Sequence, residues 1–393
     1  MTVVPKWRNV FEAAEHEDIQ TVAHFVEKVE EVLKKTNDKG ESVALIAARR
    51  CDFPTLKYVL EKDNSLLLQS DDSGHNIIEA AIENNATHVV KYLVENQNWD
   101  IHHQNRAYFG NTPIHYAAEK GQLEILKYLI ERCKGDVNVR NDIGDPPVFL
   151  AAETPHMKII EYLVEERAAS LKITNSRNEN ILFTVAKAKE DNPRVLHYVL
   201  FERKVPLNIN WVDNSHQTVL YIAIRNNKPI TIGFLIGKAH ADVNIGDNQK
   251  RSPLHIAAFD NHVPLCKLLV EQGADLYAKD KYGYTPIDNA HRKQLKQYFR
   301  NITLERSSGS VTPFIKPTST SALNVTSPGA HKLSSEEPAR RSAEEAASDG
   351  FTAFLGIAST VMSYINSSTS SRLRSSSSEA VSERFDPMAI EVI

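Results

Sequence analysis

The chain has 393 residues, a nearly balanced charge of 46 Lys and Arg against 50 Asp and Glu, and three cysteines. A net charge of -4, shared evenly along the chain, argues against nucleic acid as the main partner. The cysteines lie far apart without a CxxC pair, which argues against a disulfide framework or a zinc site and favours a reducing compartment. No apolar core of signal-peptide length follows Met1, so we expect a cytoplasmic protein.

A seven-residue pattern recurs along the first three quarters of the chain. It is TPIHYAA from Thr112 to Ala118 and SPLHIAA from Ser252 to Ala258. Looser copies lie in phase with these two, at steps of 34, 34, 36, 34, 34, 38, 34 and 33 residues. Aligned on the first residue of the pattern, the nine copies begin at Arg8, Ser42, Asn76, Thr112, Pro146, Asn180, Thr218, Ser252 and Thr285.

Each copy predicts two short helices joined by a turn. In the copy that begins at Thr112, apolar residues share one face of a first helix, Gly121 ends that helix, and residues 123–130 have the spacing of a second. Thr112 can cap the first helix, and Pro113 suits its first turn. The turn-rich residues 135–144 predict a hairpin that leads to the next copy. Because one copy cannot bury its own apolar face, stability must come from stacking of neighbours.

A repeat of about 33 residues that opens with TPLHxA resembles the ankyrin-repeat family. The resemblance covers Lys6 to about Arg300 and implies an all-α solenoid of about nine helix-turn-helix repeats with hairpin loops. The repeat that begins at Asn180 departs furthest from the pattern, and we expect it to be the least stable. The predicted divisions are an N-terminal capping repeat over 1–38, seven repeats over 39–282 and a C-terminal capping repeat over 283–300.

Motifs for catalysis are missing from the sequence. It contains no glycine-rich phosphate loop, GxSxG elbow or HExxH helix. His115 and His255 occupy the histidine of TPLH, where the resemblance implies that the ring bonds the neighbouring hairpin. His102 and His103 have no further ligand at metal-binding spacing, which favours a solvated loop. We therefore expect a non-enzymatic protein that holds no cofactor and no metal.

The resemblance also implies where a protein partner binds, namely along the hairpin tips and the first-helix face. Adjacent aromatic residues at one hairpin, Tyr108 and Phe109, could supply the large rigid contacts that dominate binding energy. The alternative is that such rings pack against neighbouring hairpins and stiffen the array. The full candidate set is Trp99, Tyr108, Phe109, Asn111, Glu119, Lys120, Phe259, Tyr282 and Tyr284.

The composition changes abruptly at Asn301, where Ser and Thr become abundant. We predict a disordered linker over 301–341 and a disordered Ser-rich C-terminus over 367–393, because neither can bury enough apolar surface to fold. Between them, 342–366 predicts an amphipathic helix that is too short to span a bilayer. The residues predicted to lie at a membrane interface are Phe351, Phe354, Leu355, Val361, Met362 and Ile365.

Three interpretations of the 342–366 segment stay open: a membrane-surface anchor, a helix that docks on a protein groove, and an unstructured segment. The C-terminus over 389–393 also fits a PDZ ligand, and its serines fit phosphorylation sites. Ankyrin proteins with Ser- and Glu-rich tails resemble effectors that intracellular bacteria inject into a host. The sequence thus predicts a monomeric adaptor that captures a protein partner, with a membrane-tethered structural scaffold, anchored by residues 351–365, as the rival.

Overall fold

The structure is a computed structural model and describes residues 6–307. The predicted amphipathic helix, the C-terminus and the linker beyond residue 307 lie outside the described residues. Within 6–307 the chain forms eighteen α-helices, and the only β pairing is three isolated bridges. Two compact units divide the described chain: the first comprises 6–190 and 194–206, and the second comprises 191–193 and 207–307.

The first unit contains six helix pairs in which a short first helix packs against its own second helix. First helices of successive repeats also contact one another, from α1 with α3 through α9 with α11. Short π-helical turns, Tyr128–Arg132, Tyr162–Glu166 and Tyr198–Glu202, continue α8, α10 and α12. The helices are α1 Val10–Glu15, α2 Ile19–Lys28, α3 Val43–Arg49, α4 Phe53–Lys62, α5 Ile77–Glu83, α6 Thr87–Asn96, α7 Pro113–Glu119, α8 Leu123–Lys127, α9 Pro147–Glu153, α10 Met157–Glu161, α11 Ile181–Lys187 and α12 Arg194–His197.

The second unit repeats this architecture. Its first helices contact in the order α13, α15, α17, and α13 and α15 also pack on their own second helices. The last helix buries Leu295 and Phe299 completely, as expected of a capping helix that closes the end of a stack. The helices are α13 Val219–Arg225, α14 Pro229–Gly237, α15 Pro253–Phe259, α16 Val263–Glu271, α17 Pro286–Asn289 and α18 Lys293–Ser307.

The aligned first residues of the repeats become the N-caps of the first helices. This holds for eight repeats, with caps at Ser42, Asn76, Thr112, Pro146, Asn180, Thr218, Ser252 and Thr285. In the first repeat the cap is Asn9, one residue after the aligned position, while the buried pair Ala13 and Ala14 stays in register with the other repeats. Asn9 Oδ1 accepts a hydrogen bond from the Glu12 N–H at 2.8 Å, a bond that an arginine side chain cannot accept.

Small residues allow the first helices to approach closely. The pair Ala117 and Ala118 is fully buried in α7, and Ala151 and Ala152 hold the same position in α9. Gly121 follows α7 with a φ of +72°, and a Cβ there would lie 2.7 Å from the His156 ring. The predicted end of this helix at Gly121 is therefore confirmed, and its physical reason is a left-handed backbone under a close ring.

Candidate partner-binding face

The signature histidines are structural. In α7, the Thr112 N–H donates to Nδ1 of His115 at 3.1 Å, so Nε2 carries the proton and donates to the Asp145 carbonyl of the next hairpin at 3.0 Å. Burial lowers the pKa of His115 to about 4. His255 makes the same contacts, with its Nε2 donating to the Tyr284 carbonyl at 3.1 Å. The interpretation of both rings as bridges between a first helix and the next hairpin is confirmed.

Other repeats place different chemistry three residues after the cap. Glu79 accepts from the Asn76 N–H at 3.0 Å and from Nδ2 of Asn105 at 2.7 Å. Burial raises the pKa of Glu79 to about 7, even though these hydrogen bonds favour its charged form. Tyr221 donates its hydroxyl to Asp247 at 2.7 Å. One position in the repeat thus bridges to the next hairpin through histidine, glutamate or tyrosine.

The Tyr108 side chain packs against two rings of neighbouring residues, His75 and Tyr116. Its ring stacks on His75 at a centroid distance of 4.4 Å and meets Tyr116 edge-on at 5.8 Å. The Tyr108 hydroxyl also lies 3.3 Å from Nδ1 of His75. These contacts support the packing interpretation for Tyr108, because a ring already paired on two sides has little surface left for a partner.

Phe109 is the exposed residue of this hairpin, with 62% of its surface open to solvent. It follows a 3₁₀ turn over Arg106–Tyr108 and has a φ of +54°, a conformation uncommon for a bulky residue. Its carbonyl accepts a hydrogen bond from the Asp142 N–H at 2.7 Å, which ties the turn to the next hairpin. The exposed ring therefore lies on a backbone that is already held by a hydrogen bond. Binding a partner then costs little backbone entropy.

Two of the predicted contact residues, Trp99 and Asn111, are buried. Trp99 is only 8% exposed and meets His103 edge-on, so its ring packs within the lengthened connection. Asn111 is 5% exposed, and its Oδ1 accepts from Nδ2 of Asn141 at 2.8 Å. Neither side chain is open to a partner, because both are buried.

Glu119 and Lys120 lie at the end of α7 and remain partly exposed. Lys120 Nζ is 3.4 Å from Glu83 Oε1 and 3.6 Å from Glu119 Oε1. Glu153 holds the equivalent position in the next repeat, is exposed, and has no hydrogen-bond or ion-pair partner within residues 6–307. Loss of water contacts beside its neighbours, together with the charges of Glu119 and Asp145, raises the pKa of Glu153, and the charge of Lys187 opposes the rise.

The remaining candidates belong to the second unit and are all exposed. Phe259, Tyr282 and Tyr284 are 61%, 67% and 56% open to solvent. Phe259 meets His291 edge-on at 5.8 Å, and the Tyr284 backbone is fixed by the bond from His255. All three side chains are therefore open to solvent, and the backbone of Tyr284 is held by repeat packing.

A ladder of tyrosine hydroxyls that was not predicted from the sequence lies along the second helices of the first unit. Three tyrosines each donate to a glutamate of the preceding repeat at 2.9, 3.1 and 3.0 Å. The signal was present, because segments such as KYLVE and KYLIE recur at the repeat spacing. The pairs are Tyr128 with Glu95, Tyr162 with Glu131, and Tyr198 with Glu165.

Across 6–307, no group of three or more His, Cys, Asp or Glu is arranged to hold a metal ion. In the same part of the chain, every helix is too short or too polar to cross a bilayer. The predicted membrane-interface residues lie outside the described residues.

Comparison with known proteins supports the repeat assignment. A family model described as ankyrin repeats, in three copies, matches residues 10–105, 87–175 and 182–280. The chain is 29% identical over 192 residues to the glycerophosphocholine phosphodiesterase GDE1 of Candida albicans, covering 47% of this chain and 16% of that protein. It is 37% identical over 82 residues to a putative ankyrin repeat protein of Rickettsia felis, covering 21% and 26%.

A further similarity, 38% identity over 55 residues, is to the protein fem-1 homolog C of Xenopus laevis and covers 14% of this chain and 9% of that protein. The chain thus spans 26% or less of the length of these three relatives. The family model, in contrast, covers more than half of the chain. With the repeated caps and stacked helix pairs, this match shows that the chain belongs to the ankyrin-repeat family, whose repeats generally mediate protein-protein binding.

Proposed function

We propose that this chain is a non-catalytic adaptor that captures a protein partner through the face formed by the Phe109 hairpin and the end of α7. The exposed Phe109 ring on a hydrogen-bonded backbone is the observation that carries the proposal. Glu119 and Lys120 supply charged groups at the end of α7, which suits the polar rim that surrounds an apolar anchor in protein interfaces. Trp99 and Asn111 are left out of the face because they are buried.

Replacing Phe109 by alanine should abolish capture and leave the fold intact. An exposed aromatic anchor contributes about 2 kcal/mol or more to binding, whereas surface substitutions change stability by about 0.5 kcal/mol or less. Affinity capture with the full chain, followed by a Kd measured on the purified partner, checks this. The matched control is Leu68→Ala, since Leu68 is 81% exposed in the same unit. Equal loss in both variants, or in neither, would contradict the proposed face.

We further propose that the adaptor acts in a eukaryotic host as an effector of a bacterium. The support is the Ser- and Glu-rich tail and the similarity to the Rickettsia felis ankyrin repeat protein. The capture experiment tests this if eukaryotic and bacterial lysates are used side by side. A partner that depends on Phe109 and occurs only in the bacterial lysate would oppose the host-directed role.

The similarity to a phosphodiesterase does not change the proposed non-catalytic role, because it covers 16% of the length of that protein. Ankyrin repeats are typically non-enzymatic, and the histidines that stand out in the repeats are occupied with backbone hydrogen bonds. Incubation of the full chain with glycerophosphocholine should therefore release no choline above a blank.

The tail is proposed to place the adaptor at a membrane surface, from the bulky residues at helical spacing between Phe351 and Ile365. Flotation with highly curved neutral liposomes tests this. The full chain should float, and the chain in which Phe354 and Met362 are changed to Ser should not. If both remain at the bottom of the gradient, the segment is no anchor, and the rival scaffold function fails with it.

A further inference from the structure

Two of the tyrosine–glutamate pairs on the second helices have an arginine as a third member. In both, the arginine lies five residues after the tyrosine. Arg167 Nε donates to the Tyr162 hydroxyl at 3.0 Å, and a terminal nitrogen of Arg167 forms an ion pair with Glu131. In the next repeat, Arg203 Nη1 lies 3.4 Å from Glu165 Oε1. The carboxylate of each of these pairs therefore has a guanidinium beside it.

The pair formed by Tyr128 and Glu95 lacks this cation. The residue five places after Tyr128 is Cys133, whose short neutral side chain replaces the arginine. Glu95 accepts from the Tyr128 hydroxyl at 2.9 Å, but it forms no ion pair with any Lys or Arg of residues 6–307. This carboxylate is thus the equivalent of Glu131 and Glu165 without a guanidinium.

A cavity of about 420 Å³ lies at this pair. Its volume is in the range of sites that hold small ligands or side chains of a partner. Tyr128, Glu95 and Cys133 all line the cavity, so it occupies the place where the arginine of the neighbouring repeats would be. The connection that leads from α6 to α7 also borders it, and this repeat is 36 residues long where most are 34. A short side chain and a longer connection together leave the space open.

The charged side chains around the cavity favour one added cation. Glu95, Asp100 and Arg132 line it, which leaves an excess of one negative charge. Arg132 is exposed and does not pair with Glu95. Half-buried Val94 adds an apolar wall, which suits the aliphatic stem of a long basic side chain.

A lysine beside the pair does not exclude a guanidinium. Lys91 Nζ lies 5.6 Å from the centre of the Tyr128 ring. In the next repeat, Lys127 Nζ lies 5.4 Å from the centre of the Tyr162 ring, and Arg167 bonds the same tyrosine. The two repeats therefore offer an arginine the same surroundings, and one of them supplies it from this chain.

We infer that the cavity is a binding site for an arginine side chain of a protein partner. The guanidinium takes the place that Arg167 holds in the next repeat and donates to the Glu95 carboxylate and the Tyr128 hydroxyl. Arginine is favoured over lysine because its planar fork reaches a carboxylate and a hydroxyl at once, as Arg167 does. The site uses none of the residues of the proposed Phe109 face, so the inference goes beyond the proposed function.

The test uses the full chain and three blocked pentapeptides that differ only at the centre of Gly-Gly-X-Gly-Gly. X is arginine, lysine or citrulline, which has the shape of arginine without its charge. Trp99 lines the cavity, so tryptophan fluorescence reports binding of these non-aromatic peptides. The arginine peptide should bind about fivefold more tightly than the citrulline peptide, because one ion pair is gained. It should also bind more tightly than the lysine peptide.

Cys133→Arg supplies the missing arginine from the chain itself. Binding of the arginine peptide should be lost, and the melting temperature should rise by about 1–4 °C, because the new guanidinium pairs with Glu95. Cys51→Arg is the matched control, since Cys51 is also half-buried in the first unit. This control should not raise the melting temperature and should change peptide affinity less than twofold.

A second variant removes the charge and keeps the space. Glu95→Gln retains an oxygen that can accept from the Tyr128 hydroxyl, and it should weaken the arginine peptide about fivefold. Its matched control is Glu124→Gln, which removes an exposed charge from α8 and should change affinity less than twofold.

Equal affinity for the arginine and citrulline peptides, lysine binding as tight as arginine, or no binding of the arginine peptide would each overturn the inference. Full binding by Cys133→Arg, or a lowered melting temperature of this variant, would overturn it as well, because the guanidinium would then not fit the cavity. None of these outcomes affects the adaptor function, which is tested by loss of the captured protein on changing Phe109.

Discussion

Replacing His115 by alanine is expected to destabilise the first unit by about 3–5 kcal/mol. The ring is fully buried, so the change leaves a cavity. It also removes the acceptor of the Thr112 N–H and the donor to the Asp145 carbonyl, and each buried group left without a partner costs about 1–3 kcal/mol. The free energy of unfolding in urea, followed by circular dichroism, measures this loss.

The control for this variant is His102→Ala. His102 is exposed in the lengthened connection, and its removal should change the free energy of unfolding by about 0.5 kcal/mol or less. A loss at His115 below about 1 kcal/mol would show that the bridge between α7 and the next hairpin contributes little. The stacking of first helices alone would then have to account for stability.

The second large effect concerns pH and Glu79. The pKa of this carboxyl is about 7 in the folded chain against an ordinary value of 4.5. Between pH 4.5 and about 7, Glu79 keeps its proton in the folded chain, whereas it has released the proton in the unfolded chain. The stability contributed by Glu79 is therefore fully present below pH 4.5 and is lost as pH rises through 7, by about 3 kcal/mol in total.

Glutamine cannot ionise, so Glu79→Gln should gain stability relative to the unmodified chain as pH rises from 4.5 to 8. Urea unfolding of both proteins at several pH values gives this difference, and any constant cost of the substitution cancels. Glu124→Gln is the control, because its carboxylate is exposed. A difference between Glu79→Gln and the unmodified chain that does not change with pH would show that Glu79 ionises normally.

Glu79 and His115 hold the same position in adjacent repeats and respond to pH in opposite directions. The pKa of His115 is lowered to about 4, so its contribution is complete above its ordinary pKa of 6.5 and is lost as pH falls through 4. The two slopes overlap and oppose each other in the unmodified chain. Single variants therefore reveal a pH dependence that the whole protein conceals.

Much of the fold was predictable because it depends on residues close together in sequence. A cap bonds the N–H groups two or three residues ahead, and helical spacing of apolar residues defines the buried face over two turns. Eight caps, the helix end at Gly121 and the roles of His115 and His255 follow from such local patterns. The cap of the first helix, Asn9, lies one residue after the aligned position, and its bond to the Glu12 N–H is equally local.

The candidate site was predicted less well, because exposure depends on residues about one repeat away. Phe109 is exposed while Tyr108 beside it is stacked on His75, 33 residues earlier. Both are aromatic, both lie at the same hairpin, and nothing local separates them. The burial of Trp99 and the unpaired state of Glu153 likewise depend on neighbouring repeats.

The sequence by itself determined the repeat, its period, the helix pairs and the residues that cap them, because these follow from interactions over a few residues that each copy contains. Only the tertiary structure decided which aromatic ring is open to solvent, which carboxyl titrates near neutral pH, and which glutamates pair with Lys120. The physical reason is that burial and electrostatic environment are properties of stacked neighbours, and a single repeat has neither until the next one covers it.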